Sequence, residues 1–169
     1  MLYYIAFAVS FLCFLYHTLI HILEHFRKIP ESKMVYATIG ISMFFAWVFY
    51  FMASLMEMTS SLSYLSLAGL VMLIAGFYLF FAAHAKVHKR MHSGKGKLVT
   101  EGLYGKIRHP MYVGEILMLI GAPVFGGSWL TLALSPLLIV QILVWAYIEE
   151  KDLMKEFPEY AAYRKKTWF

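Results

Sequence analysis

Long apolar runs separated by short polar stretches dominate the chain. A helix needs about 20 apolar residues to cross a bilayer core of roughly 30 Å, and runs of that length predict three spans in the first half. A further apolar block, 111–148, is too long for one span. We therefore predict membrane segments at about 2–23, 34–56, 62–83, 111–124 and 128–148.

The last apolar block is interrupted by residues that favour turns. Gly121, Pro123, Gly126 and Gly127 lie together near its middle, which predicts a helical hairpin with a tight turn. The first arm of this hairpin is short for a full span, so we expect it to be tilted or buried against neighbouring helices. The predicted fold is all-α: one polytopic membrane domain over 1–169, with five transmembrane segments and a C-terminal helical hairpin.

Composition and charge agree with a membrane protein and suggest its orientation. The chain is 61% hydrophobic and 15% charged, which is too apolar for a soluble domain of this size. All 15 Lys and Arg residues fall in 24–33, in 84–110 or after residue 150. With five spans these regions share one side, and the positive-inside rule makes that side the cytoplasm. We expect the N-terminus outside, the C-terminus inside, the lipid bilayer as partner and no nucleic-acid binding.

The segment EGLYGKIRHPMYVGE stands between two apolar runs. Pro110 disfavours helix at His109 and suits the first turn of the next helix. Arg108 and His109 should therefore lie just ahead of a helix N-terminus, whose free N–H groups and partial positive charge favour an anion. The alternative is a plain membrane-entry turn, with Arg108 on lipid head groups.

The C-terminal tail supplies acids at the same depth. Glu149 and Glu150 end the last apolar run, where adjacent carboxylates are costly unless they are paired or hold a ligand. Arg108 is the expected partner. Four tail residues form a partly apolar face that would close over the same region, which predicts a cytoplasmic pocket: Leu153, Phe157, Tyr160 and Tyr163.

These segments carry a family resemblance. LVTEGLYGKIRHPMYVGE followed by IEEKDLMKEFPEYAAYRKK resembles the isoprenylcysteine carboxyl methyltransferases and their phospholipid methyltransferase relatives, small membrane enzymes that use S-adenosylmethionine. The resemblance covers roughly 84–166. It implies methyl transfer to a lipophilic or membrane-associated acceptor, with the cofactor held by Lys97, Leu98, Val99, Tyr104, His109, Pro110, Met111, Tyr112 and Glu149.

The residue types suit this chemistry. Methyl transfer from a sulfonium is an in-line displacement that needs positioning more than covalent help, and we expect no metal. Tyr104 and Tyr112 offer aromatic faces to the cation, worth roughly 0.5–2 kcal/mol each. Arg108 and Glu150 are the candidate catalytic residues: the first to neutralise a carboxylate or orient the acid, the second as an available base.

Two features leave alternatives open. In the prenylcysteine enzymes an Arg precedes the first acid by four residues, and here Trp145 stands in that place, which puts carboxyl methylation in doubt. NADPH-dependent sterol and steroid reductases of membranes carry a motif resembling RHPxYxGE, and Glu115 matches its acid. A non-enzymatic scaffold is the third possibility.

Two rows of histidines recur every four residues, each along one helical face. They are His17, His21 and His25, and His84, His88 and His92. Such spacing can share a metal, but side chains of this kind are also comfortable near the ends of spans, and we favour that interpretation.

Overall fold

The computed structural model describes residues 1–26, 32–56, 63–92 and 98–169. These ranges fold almost entirely into helices. Lys33 and Tyr64 begin the second and third helices, and one short 3-10 turn precedes the fourth. In chain order the elements are α1 (Leu2–His25), α2 (Lys33–Leu55), α3 (Tyr64–His92), the 3-10 turn (Gly102–Gly105), α4 (Pro110–Gly126), α5 (Trp129–Glu156) and α6 (Tyr160–Lys166).

The long helices identify a multi-pass membrane protein. Within the described ranges α1, α2, α3 (over Tyr64–Val87) and α5 are each long and apolar enough to cross a bilayer. Helix α4 is apolar but has only 17 residues, about 26 Å at 1.5 Å per residue. Its shortness was expected; a fifth crossing stays a prediction.

The helical hairpin is confirmed, but its turn is smaller than predicted. Helix α4 continues through Gly121 and Pro123 and ends at Gly126. Gly127 then adopts φ +70°, a left-handed conformation that glycine enters without strain. Its N–H bonds the carbonyl of Pro123. The expected break at Gly121 is therefore wrong.

Gly121 has a packing role instead. A Cβ atom there would lie 2.9 Å from the carbonyl oxygen of Gly69, and one on Gly76 would lie 2.7 Å from that of Gly114. The two glycine pairs are spaced by seven residues on both helices, so antiparallel α3 and α4 touch backbone to backbone. Small residues allow this close approach where lipid gives no hydrophobic drive to helix association. This glycine contact between α3 and α4, called the seam below, holds the start of α4 at one end of the bundle.

Large aromatic side chains fill the rest of the core. Phe14 on α1 stacks on Trp145 of α5 with ring centroids 5.6 Å apart. The Trp145 Nε1–H donates to Thr18 Oγ1 at 2.7 Å, and the Thr18 hydroxyl lies 2.9 Å from Gln141 Oε1. This buried polar group ties α1 to α5, because each member finds its partner inside the bundle.

Candidate functional site

The start of α4 is built as its sequence predicts. His109 has φ −121° and ψ 61°, outside the helical region, and Pro110 opens the helix. The His109 ring is buried and stacks on Tyr112, with centroids 5.4 Å apart. Proline thus holds the histidine beside the first turn of α4 rather than within it.

Arg108 pairs with the end of α5, which confirms the expected ion pair. Its Nε donates to Glu150 Oε1 at 2.7 Å, and its Nη1 donates to the carbonyl of Thr167 at 2.7 Å. Arg164 Nε lies 3.3 Å from the other oxygen of Glu150. Both oxygens of this carboxylate therefore face a guanidinium group, and only 13% of the side chain is exposed.

Glu149 is the more open acid. Its side chain is 40% exposed, and Oε2 lies 3.4 Å from His109 Nδ1. The Tyr112 hydroxyl interacts with the same carboxylate. His109 Nε2 lies 3.5 Å from Glu150 Oε1 but is buried without a hydrogen-bond partner among the described residues. This site can accept further hydrogen bonds at Glu149.

The C-terminal tail (157–169) covers the loop ahead of α4 (98–109) with backbone hydrogen bonds that the sequence did not predict. The Trp168 N–H donates to the carbonyl of Lys106 at 2.8 Å, and the Arg108 N–H donates to that of Trp168 at 2.9 Å. Ile107 and Trp168 form an isolated parallel bridge. No pattern in the last residues signals this pairing, since the paired segment is too short to show strand periodicity.

The aromatic face of the tail also contacts the loop. The Tyr163 hydroxyl donates to the carbonyl of Tyr104 at 2.6 Å. Burial raises the pKa of Tyr104 and of Tyr163 above their usual range. Tyr160 is buried too, and its hydroxyl has no hydrogen-bond partner in the described part of the chain.

Of the remaining predicted cofactor residues, two precede the 3-10 turn and two lie in the first turn of α4. Leu98 and Val99 are half-buried ahead of the 3-10 turn, and Pro110 is buried. Met111 reaches a cavity on the membrane side. Lys97 lies outside the described residues. The structure therefore brings together one end of α4, one end of α5, the loop and the tail.

A cavity of about 720 Å³ opens within the helices beside this site. Met111 and Tyr112 belong to its wall and so connect the two regions. Sequence reasoning missed the cavity, although an acid inside the apolar α4 run was its one visible signal. The lining is otherwise apolar apart from a few polar side chains: His17, His21, His84 and Glu115.

The histidine rows separate into different environments. His17 stacks on His21 and on Trp145, with centroids 4.7 Å and 4.4 Å away. His25 Nδ1 lies 2.9 Å from Asp152, linking α1 to α5. The side chains of residues 88–92, which include the last two histidines of the α3 row, lie outside the described part. Among the described residues, no three His, Cys, Asp or Glu side chains form a metal-binding group.

Fold and site together define a multi-pass helical membrane protein with a charged site at one end of the bundle and an apolar cavity beside it. The chain belongs to the family described as "Protein of unknown function (DUF1295)", which matches residues 15–167. No curated protein and no solved structure matches the chain significantly. The family description assigns no activity.

Proposed function

We propose that this protein transfers a methyl group from S-adenosylmethionine to a lipophilic acceptor, as the isoprenylcysteine carboxyl methyltransferases do. One observation carries the proposal: the open carboxylate of Glu149 and the ring of Tyr112 stand where a polar loop site adjoins an apolar cavity. A water-soluble methyl donor and a membrane-dissolved acceptor would meet at such a junction. Positioning two reactants is the main demand of this displacement.

The residues of the loop site fit the donor. Glu149 retains carboxylate capacity to accept from ribose hydroxyls or an ammonium group. Tyr104 and Tyr112 are aromatic neighbours for a sulfonium, and Leu98 and Val99 offer a half-buried apolar surface. S-adenosylmethionine would supply the methyl group, whose bond to sulfur breaks as the bond to the acceptor forms, leaving S-adenosylhomocysteine.

Arg108 and Glu150 support the site through each other. The Nε of Arg108 and the Oε1 of Glu150 form an ion pair at 2.7 Å. Arg108 also donates a hydrogen bond to the carbonyl of Thr167 in the tail. We infer that both act as positioning residues that keep the tail over the loop and aim Glu149 outward. The two oxygens of Glu150 already face Arg108 and Arg164, so neither is free to contact the reacting atom of an acceptor.

We further propose five crossings with the loop site in the cytoplasm. Among the described residues, Lys86, Lys106, Arg108 and the basic residues of the tail lie at the same end of the bundle as this site, and the positive-inside rule assigns that end to the cytoplasm. A 17-residue α4 is at the short limit for a crossing. The seam with α3 would compensate, since it shields α4 from lipid on one face.

Calorimetric titration of the detergent-purified protein with S-adenosylhomocysteine, with NADPH in parallel, tests the proposal. We expect binding of the first alone. Glu149→Gln should weaken it at least tenfold, on the order of 1.4 kcal/mol or more, because a charged hydrogen-bond acceptor is lost. Glu156→Gln, the same change at an exposed position of α5, should leave it within about twofold. Equal effects of the two variants would remove Glu149 from the site.

One observation favours a reductase as second candidate. Glu115 lies buried in the cavity wall near Tyr112, and such an acid could support proton donation by a phenol during hydride transfer from NADPH. Binding of NADPH alone would support the reductase hypothesis. Binding of neither nucleotide would point to a scaffold.

A further inference from the structure

We propose that the cavity selects an apolar molecule whose head group donates a hydrogen bond, an amine or an alcohol, and that Glu115 receives that head group. The proposal rests on the proposed function, for which it names the acceptor class. The N–H or O–H proton that the head group loses on methylation passes to the Glu115 carboxylate that accepts its hydrogen bond. It also separates this protein from carboxyl methylation.

Glu115 is a cavity-lining acid whose hydrogen-bonding capacity the described part of the fold leaves incompletely used. It is 5% exposed, and its Oε2 is buried without a hydrogen-bond partner among the described residues. It lies on α4 one turn after Tyr112 and lines the cavity. A buried carboxyl oxygen without a partner costs free energy in an apolar setting. A ligand that donates to it would remove that cost.

Helix α1 contributes two histidine side chains to the cavity wall, which add hydrogen-bonding groups but no permanent positive charge. His17 Nδ1 is buried and has no hydrogen-bond partner within the described ranges, and His21 stacks beside it. Within the part of the chain that the structure describes, the lining contains no Lys or Arg. A carboxylate head group would therefore place a second acid beside Glu115 in an apolar cavity, with no described cation in the lining to pair with either acid.

Trp145 strengthens this selection. It occupies the place where the prenylcysteine enzymes carry an Arg for the acceptor carboxylate, and here it lines the cavity. Its Nε1–H is already given to Thr18 at 2.7 Å, and its ring stacks on His17. Phe14 and His17 stack on the ring and Thr18 takes its donor, so Trp145 offers neither a cation nor a free N–H to an acceptor carboxylate.

The rest of the cavity suits an apolar chain. Its volume of about 720 Å³ falls in the range of small-molecule sites. The head group would lie near Tyr112, whose hydroxyl also faces Glu149 of the loop site. Aromatic and thioether side chains from α2, α3 and α4 complete the wall: Met43, Phe44, Trp47, Phe51, Phe77, Phe80 and Met118.

Three matched probes test the selection: dodecylamine, dodecanol and dodecanoate, each brominated at the far end of the chain. Bromine quenches nearby tryptophan fluorescence, and Trp47 and Trp145 line the cavity. Replacing Trp129 and Trp168 by Phe leaves these two as the only reporters, since the chain has four tryptophans. The protein is placed in nanodiscs of neutral phosphatidylcholine, so that membrane charge does not sort the probes.

We expect the amine and the alcohol to bind at least tenfold more tightly than the carboxylate. Glu115→Leu should weaken both about tenfold, and Glu115→Gln should weaken the amine more than the alcohol, because the amide keeps an acceptor but no charge. Glu101→Gln, an exposed acid paired with Lys86, is the control and should change neither. A carboxylate probe that binds best, or a Glu115→Leu variant that binds all three as before, overturns the proposal.

Titration of the same proteins with S-adenosylhomocysteine separates the two claims. Glu115→Leu should bind it within about threefold of the unsubstituted protein, which also shows that the variant is folded. If S-adenosylhomocysteine binds while the probe preference is absent, the inference on the acceptor fails alone. If the probe preference holds without S-adenosylhomocysteine binding, the methyltransferase proposal fails and the cavity's selectivity stands.

Discussion

Glu150 and Glu115 are both shielded acids near the same end of the bundle, yet their surroundings are opposite. Glu150 faces Arg108 at 2.7 Å and Arg164 at 3.3 Å. Glu115 faces an apolar cavity and keeps a buried oxygen without a partner in the described residues. A shielded acid with two cations organises the fold around it, whereas one left open destabilises the fold and is available to a ligand. The same residue type is thus paired with cations in one region and keeps an unpartnered oxygen in the other, where we propose that it recognises a ligand.

The largest loss of stability is expected when the ion pair between Arg108 and Glu150 is removed. Arg108→Ala removes a guanidinium that serves Glu150 and two tail carbonyls, and we expect a loss of about 3 kcal/mol of unfolding free energy. Unfolding in mixed detergent measures it, and protease cleavage of the tail should become faster. S-adenosylhomocysteine binding should fall with it, because the loop loses its cover.

Arg164→Ala is the matched control for this prediction. Arg164 meets the same carboxylate, but its side chain is 50% exposed, so its removal should cost less than about 1 kcal/mol. Equal losses from the two arginines would mean that Arg108 is an ordinary surface charge and not a support of the site.

Removing the acid in the cavity wall, Glu115, should instead increase the free energy of unfolding. Glu115→Leu replaces a buried carboxyl, one oxygen of which has no described partner, by an apolar side chain of similar size, and we expect a gain of about 1–2 kcal/mol in unfolding free energy. Glu150→Leu, the same change in the paired region, should lose stability because Arg108 is left uncompensated. Unfolding of both variants in one detergent mixture checks the pair. A loss from Glu115→Leu would show that this acid has a structural role.

This contrast also explains which parts of the site could be predicted from the sequence. The pair between Arg108 and Glu150 was predictable, because two acids at the end of an apolar helix need a cation and the basic loop supplies one. Pro110 likewise fixed the start of α4. Both conclusions depend on local chemistry and charge, which a sequence displays directly.

The errors and omissions concern tertiary packing. Glycine in a sequence predicts a turn, but inside this bundle Gly121 allows the backbones of α3 and α4 to touch. The cavity depends on five helices at once, so no single segment reveals it. The pairing of Trp168 with Lys106 joins residues far apart in the chain without any repeat.

A single neutral hydrogen bond between the tail and the loop gives the smallest expected effect. Tyr163 donates to the carbonyl of Tyr104 at 2.6 Å, and Tyr163→Phe should lose about 1 kcal/mol of unfolding free energy near neutral pH. Tyr147→Phe, an exposed tyrosine on α5, is the control and should stay within about 0.5 kcal/mol.

The loss should also depend on pH in one direction. Burial raises the pKa of the Tyr163 hydroxyl in the folded protein, so the unfolded chain releases this proton first, at a pH of about 10. The folded form then holds more protons, and stability falls as pH rises through that value. The Phe variant lacks this contribution, so its deficit should shrink between about pH 9 and 11, while Tyr104 still gives both proteins a shared decline. Parallel curves would mean that the Tyr163 hydroxyl is solvated and does not hold the tail on the loop.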